Sequence, residues 1–326
     1  MIIKKICILG GTGFVGVRLA NRLVDHGYSL RILTRDRERG KQNLILLPGT
    51  DLVEADIHDP NALAEQVAGC DAVINLVGIL NERGGERGSF RHVHVELMEK
   101  IIRACRANGV RRLLQMSALN ADAGSGPSRY LRTKGEAEDM AHAARDIRVT
   151  SFRPSVIFGD GDSFFNRFAG LLKLAPGMFP LACAHARFAP VYVGDVAETF
   201  VRTLKDPAFY GRRLNLCGPH VYSLQELVEY TADCLGLRRK VIPLPDLMSR
   251  MQAAMFDMAG FLFNLTGMEK PFSMDNYLSM KVDSISEAND LPAIVGQPTA
   301  LEGVVPKYLA GQTYRSNYDQ FRRDHA

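Results

Sequence analysis

The chain has 326 residues, 46% hydrophobic and 23% charged, with 29 glycines and 15 prolines. That mixture excludes a disordered, collagen-like or coiled-coil chain, and the length suffices for a large core. Forty basic residues against 36 acidic ones leave a net charge of +4, too mild and too scattered for a nucleic-acid surface.

The N-terminal run to Gly10 reads as a buried strand, because its apolar stretch is too short for a leader. Strands are predicted at Ile2–Leu9, Leu30–Thr34, Leu52–Ala55, Ala72–Val77 and Leu113–Met116. Helices are predicted at Phe14–His26, Leu97–Asn108 and Tyr130–Ala144. Strands alternating with helices predict an α/β fold around a doubly wound parallel sheet. From Arg153 the rhythm changes: Pro154, Pro176, Pro180 and Pro190 interrupt it. Helical segments are predicted at Phe164–Leu174, Asp195–Lys205, Ser223–Leu235 and Met248–Leu265. Residues 1–153 therefore read as one domain, to which the chain returns around 187–216. Residues 154–326 read as a smaller, mostly helical substrate or partner region. No stretch offers about 18 uncharged apolar residues, so no transmembrane span is expected. The six cysteines, Cys7, Cys70, Cys105, Cys183, Cys217 and Cys234, form no CxxC pair. That spacing suits a reducing cytoplasm and makes neither a zinc site nor a disulfide framework.

Gly10-Gly11-Thr12-Gly13-Phe14-Val15-Gly16 follows the first strand and opens the first helix. Gly11, Gly13 and Gly16 satisfy GxGxxG; Gly10, Gly13 and Gly16 satisfy GxxGxxG. Glycines let backbone approach a pyrophosphate, and the helix N-terminus supplies free N–H donors. The motif in this context predicts a Rossmann-type dinucleotide site. Asp56 and Ile57 close the third strand, where a carboxylate can accept from an adenine amino group or serve as a turn residue. Leu76-Val77-Gly78 close the fourth, where a small residue lets the chain pass close to a cofactor. The residue closing the second strand selects between cofactors, since a base accommodates a 2′-phosphate and an acid accepts from the ribose hydroxyl. Arg35 is there, with Arg37, Arg39 and Lys41 following, so NADP(H) is favoured. A one-residue shift puts Asp36 in that place, which keeps NAD(H) as the alternative.

Tyr130 and Lys134 stand at i and i+4 on one helix face. An ammonium there lowers a phenol's pKa and makes it a general acid/base. Ser117 closes the fifth strand, where it reads either as a carbonyl polariser or as a turn residue. Phe164, Phe165 and Phe168 read as ordinary core or as substrate-selecting residues. Pro245–Met268 predicts one or two amphipathic helices exposing Met251, Met255, Phe256, Phe261 and Phe263. They would form a cover for the substrate cleft, a partner surface or, less consistently with their few basic residues, a membrane-surface contact.

With these residues in view, the chain resembles an extended or atypical short-chain dehydrogenase/reductase of the NAD-dependent epimerase/dehydratase type. It resembles in particular bacterial relatives of the nucleotide-binding accessory subunit of mitochondrial complex I. Gly10–Gly16, Asp56-Ile57-His58-Asp59, Leu113–Leu119, Tyr130–Lys134, Arg153–Gly159, Tyr192–Ala197 and Leu216–Pro219 carry the resemblance, with Tyr222–Val228. Phe272–Asp275 and Lys281–Asp283 point to the accessory-subunit branch. The resemblance implies hydride transfer to or from a carbonyl or carbinol of a nucleotide sugar, isoprenoid or quinone-like molecule. Tyr130 would serve as acid/base, Lys134 would hold the ribose, and Pro154 would shape the nicotinamide side. It equally implies a second reading, a scaffold with structural NADPH and little or no turnover. The expected location is the cytoplasm, with a peripheral place at the inner membrane as the alternative. Two departures bear on the choice. Ala118 stands where the superfamily's enzymes usually carry Ser or Thr, and His94 where they carry Asn. With no completing ligand, His92 and His94 read as packing or water-bridging groups, not a metal site.

Overall fold

The computed structural model describes residues 2–44, 47–82, 88–260 and 270–310. Seven parallel strands form the main sheet: β1 (Lys5–Leu9), β2 (Ser29–Thr34), β3 (Thr50–Glu54), β4 (Ala72–Asn75), β5 (Arg112–Met116), β6 (Arg148–Pro154) and β7 (Arg213–Leu216). Their spatial order is β3-β2-β1-β4-β5-β6-β7. The chain winds outward from β1 to β3, then crosses back to place β4 on the other side of β1. The crevice at such a switch point, beyond the strands' carboxyl ends, is where open α/β sheets bind ligands.

Helices cover both faces. α1 (Phe14–Asp25) lies on one, and α3 (Pro60–Val67), α4 (Leu97–Ala107) and α5 (Arg129–Ala143) on the other, with α2 (Arg37–Leu44) beside β3. Alternate residues of a two-sided strand feed different cores. Ile6 and Ile8 of β1 join Leu19, Leu23 and Phe200 on one side, while Cys7 and Leu9 join Leu63, Met98 and Ile101 on the other. α7 (Val193–Leu204) packs beside α1, and β7 then pairs with β6, so late sequence completes the sheet. Fully buried Arg112 ties this return together. Its guanidinium donates to the Thr203 and Leu204 carbonyls that end α7 and lies 4.6 Å from the Tyr210 ring centroid.

The longer helices of the second half, α6 (Phe164–Leu174), α8 (Leu224–Cys234) and α9 (Asp246–Met258), form a smaller layer beyond the strands' carboxyl ends, with short helices at Met274–Ser279, Leu291–Val295 and Val305–Leu309. Met178–Leu181 pairs with Lys240–Pro243 beneath it. α9 ends at Met258, and residues 261–269, including Phe261 and Phe263, lie outside the described residues. Met251 and Met255 are exposed as expected, whereas Phe256 turns inward to line a cavity. Among the described residues, no helix is long and apolar enough to cross a membrane.

Several elements depart from the sequence reading, which has no helix at Pro60–Val67 and no strands at Arg148–Pro154 or Arg213–Leu216. β4 stops at Asn75 because that side chain turns the chain, accepting from Val77 N–H at 3.1 Å and donating to Gln115. A π-helical turn, Arg91–Glu96, leads into α4 and carries His92 and His94, polar residues that hide a helical period. The basic run after β2 becomes α2, whose first turn Asp36 caps by accepting from Arg39 N–H.

Candidate functional site

At the switch point the chain turns from β1 into α1 through Gly10–Gly16. Gly10 has φ +79°, and a Cβ there would lie 3.2 Å from backbone atoms of Leu76 and Val77. A Cβ on Gly16 would come within 2.4 Å of the Gly10 carbonyl oxygen. These contacts press α1 onto the loop, leaving a bare backbone cradle. No side-chain oxygen caps α1 at Gly13, and its first turn holds no acid. By contrast, Asp59, Ser128 and Ser223 cap α3, α5 and α8. An uncapped N-terminus beside a glycine loop keeps N–H donors and positive dipole end for a phosphate. The residues present therefore fit a dinucleotide.

Arg35 follows Thr34 at the end of β2, exposed and without a hydrogen bond or ion pair among the described residues. Asp56 is exposed, and its carboxylate accepts from His58 N–H at 2.8 Å. Ile57 packs on the core beside Leu9 and Leu33. Gly78 lies across the cradle, where a Cβ would stand 2.9 Å from Lys134 Nζ. Thr12 sits under α2, 3.1 Å from where a Gly40 Cβ would project.

Lys134 is buried, and its ammonium bridges two strand ends, donating to Met116 O at 3.2 Å and Val77 O at 3.5 Å. Burial pulls its pKa down to about 8. The expectation for Tyr130 needs correction. Burial, with Asp275 adding to it, pushes the phenol up to about 12. Desolvation thus holds the phenol protonated. Its ring packs edge-on against Phe90 and His94. His94 is neutral, driven down to about 2 by burial and Lys134. Its Nε2 accepts from Ile79 N–H, which leaves Nδ1–H for Thr133 Oγ1 at 2.9 Å.

Ser117 is not available as expected. Its hydroxyl donates to Glu138, which is also bound by Arg153 at 3.0 Å and Arg213 at 2.7 Å. The carboxylate is fully buried, so the serine proton is committed to this cluster. Ala118 follows and contributes no polar atom.

A cavity of roughly 600 Å³ joins these parts. Phe14, Val15, Leu76, Gly78, Lys134 and Pro154 line it on the cradle side, with Ser117 and Tyr130 at the middle. Phe164 and Phe168 line the far side, while Phe165 is fully buried core. Gly10, Gly11, Thr12, Gly13 and Gly16 form the adjoining loop, with Val77 against Gly10, and Arg35 and Asp56 stand farther along the strand ends.

Residues 6–217 match the NAD dependent epimerase/dehydratase family. The chain belongs to that family. This member is 30% identical over 303 residues to the mouse mitochondrial NADH dehydrogenase [ubiquinone] 1 alpha subcomplex subunit 9, covering 90% of this chain and 77% of the relative. It is 29% identical over 243 residues to a ceramide reductase of Caulobacter vibrioides, covering 74% of each. It superposes on a UDP-glucuronic acid 4-epimerase from Bacillus cereus, solved in complex with UDP-glucuronic acid and NAD. The TM-score is 0.71 at 16% identity, over 95% of this chain and 100% of that one. That likeness is one of fold.

The family member's site includes residues that sequence reasoning passed over. Asp275 accepts from Arg129 and Tyr130 N–H at 2.8 and 3.2 Å, clamping the start of α5 and so the tyrosine's position. Asn276 beside it lines the cavity. The segment after Phe272 carried only a branch resemblance in the sequence, and its 145-residue separation from Tyr130 concealed the contact.

Proposed function

We propose that this protein binds NADP(H) and reduces a carbonyl substrate. The observation that carries the reading is the meeting of Tyr130 and Lys134 with the glycine cradle along one cavity. When bound, a reduced nicotinamide would supply the hydride, a proton carrying two electrons, to the carbonyl carbon. Tyr130 donates its phenolic proton to the carbonyl oxygen, completing the alcohol. Burial keeps that proton on the phenol at neutral pH, so it is there to be given, and water returns it to the oxygen after each turnover. Lys134 positions the ribose by hydrogen bonds and returns positive charge to the wall. Arg35 favours the 2′-phosphate form. It has no competing partner among the described residues, and the Asp36 carboxylate is already used in capping α2.

The test is Tyr130→Phe. It keeps the ring and removes the transferable proton, so turnover should fall by roughly 10² to 10⁴ while NADPH affinity stays within about twofold. Full turnover in the variant would remove Tyr130 from the chemistry.

One observation favours a second reading. Ser117 is tied to Glu138, and Ala118 supplies no hydroxyl, so the usual polarising group is missing. A scaffold whose bound NADPH stabilises the fold needs neither. In that reading the exposed Met251, Met255 and Met258 of α9 are the face offered to a partner chain. It predicts that Tyr130→Phe changes nothing measurable.

A further inference from the structure

The far half of the cavity is walled by Phe168 and Leu171 of α6, Phe179, Leu181, Phe256 and Met280. Among the described residues no aspartate or glutamate lines it, and Arg167 is the cation on this side. Several polar groups around the cavity are already occupied. Asn120 donates to Asp283 O, Ser155 to Ser284 O, and Ser279 shares a hydrogen bond with Ser128. A nucleoside diphosphate brings at least two negative charges and a polar base. It needs several charge-assisted contacts to replace its water, which this wall does not offer. An aliphatic chain asks for nothing but the apolar surface that is there.

One polar atom stands out. Asn276 lines the cavity; its Oδ1 is buried with no hydrogen-bond partner among the described residues, while its Nδ2 is held by Leu80 O at 3.2 Å. A buried acceptor of this kind is costly unless a donor reaches it. The neighbouring Asp275 clamps the backbone of Tyr130, so the free oxygen sits on the segment that positions the acid.

We propose that the carbonyl substrate is a single-headed amphiphile. Its long aliphatic chain fills the Phe/Leu/Met chamber, and a hydroxyl or amide N–H beside its carbonyl donates to Asn276 Oδ1. The proposal rests on the reductase reading and names the substrate class for that site.

The experiment uses the full chain loaded with NADPH and a series of hydroxymethyl ketones, from hydroxyacetone to the fourteen-carbon homologue. Turnover is read by NADPH absorbance. Binding is read separately, by displacement of the fluorescent probe dansyl-undecanoate. The expected result is a kcat/KM that rises about fourfold per added methylene until the chamber is full. Probe displacement should follow the same order, and UDP-glucose should displace nothing. Methyl ketones lacking the hydroxyl should be about tenfold poorer, a gap that closes in Asn276→Leu. Met280→Trp, which fills the chamber, should lower the long-to-short ratio by tenfold or more.

Turnover independent of chain length, or displacement by UDP-glucose, overturns the amphiphile and leaves the reductase reading intact. Displacement in chain-length order without reduction of any ketone sinks the reductase reading and upholds the chamber. An unchanged hydroxyl preference in Asn276→Leu removes Asn276 from the site. A probe that never binds overturns the proposal.

Discussion

Burial, acting on two side chains four residues apart, sets the chemistry available at the centre of the site. It holds Tyr130 as a phenol and makes Lys134 a weaker base, with a pKa near 8. For Lys134 the folded pKa lies below the unfolded one. Between the two, the unfolded chain binds more protons, so stability rises with pH from about 8 toward 10.4. Without NADPH, the wild type should gain up to about 3 kcal/mol across that window, and Lys134→Met should lose that gain. Urea unfolding at pH 7.5 and 10 compares them; parallel curves would mean that Lys134 reaches water. Arg35 allows a second residue-scale check. Arg35→Ala should weaken NADPH by about tenfold or more and leave NADH nearly unchanged, as expected for a lost contact to a charged group. Equal weakening of both by calorimetry would make Arg35 structural.

At the scale of elements, two joints bear on the site. The first is the loop beneath α1. A methyl on Gly16 would meet backbone at 2.4 Å, so α1 must lift. Gly16→Ala should cost about 1–3 kcal/mol and lower NADPH affinity by at least tenfold. A variant of wild-type Tm and affinity would show that the loop tolerates a side chain. The second joint is Glu138, where α5 meets β6 and β7 through Arg153 and Arg213. Removing the charge from a fully buried pair costs 3–5 kcal/mol, but these guanidiniums reach water. Glu138→Gln should therefore cost about 2 kcal/mol by denaturant unfolding. A neutral effect would mean that the arginines find other partners. Glycine spacing after an apolar run and the i, i+4 pair made the cradle and the Tyr–Lys face legible in the sequence. The fate of Ser117 was not, because Glu138, Arg153 and Arg213 converge on it from separate elements. Asp275 was hidden for the same reason, and Phe256 because a helix period cannot say which apolar face meets a cavity and which meets water.

For the molecule as a whole, the strand rhythm to Met116 predicted the parallel sheet, and the loss of rhythm after Arg153 predicted the helical layer. The return of the chain to the first domain around 187–216 was legible in the sequence, but not the strand that this return adds to the edge of the sheet. α7 and β7 come from the irregular half yet complete the sheet, fastened by Arg112 on the end of α7. That return brings α6 and α9 over the strands' carboxyl ends and closes a cavity onto the cradle. The central claim is that a dinucleotide lies between the glycine loop and Lys134, with its reactive end at that cavity. Hydrogen exchange along the whole chain, with and without saturating NADPH, tests it most directly. The account predicts slowed exchange at residues 11–17, 77–79 and 129–134, with α3 and α8 unaffected. NADPH that binds while leaving those three segments unchanged, or that protects the helical layer alone, would contradict it.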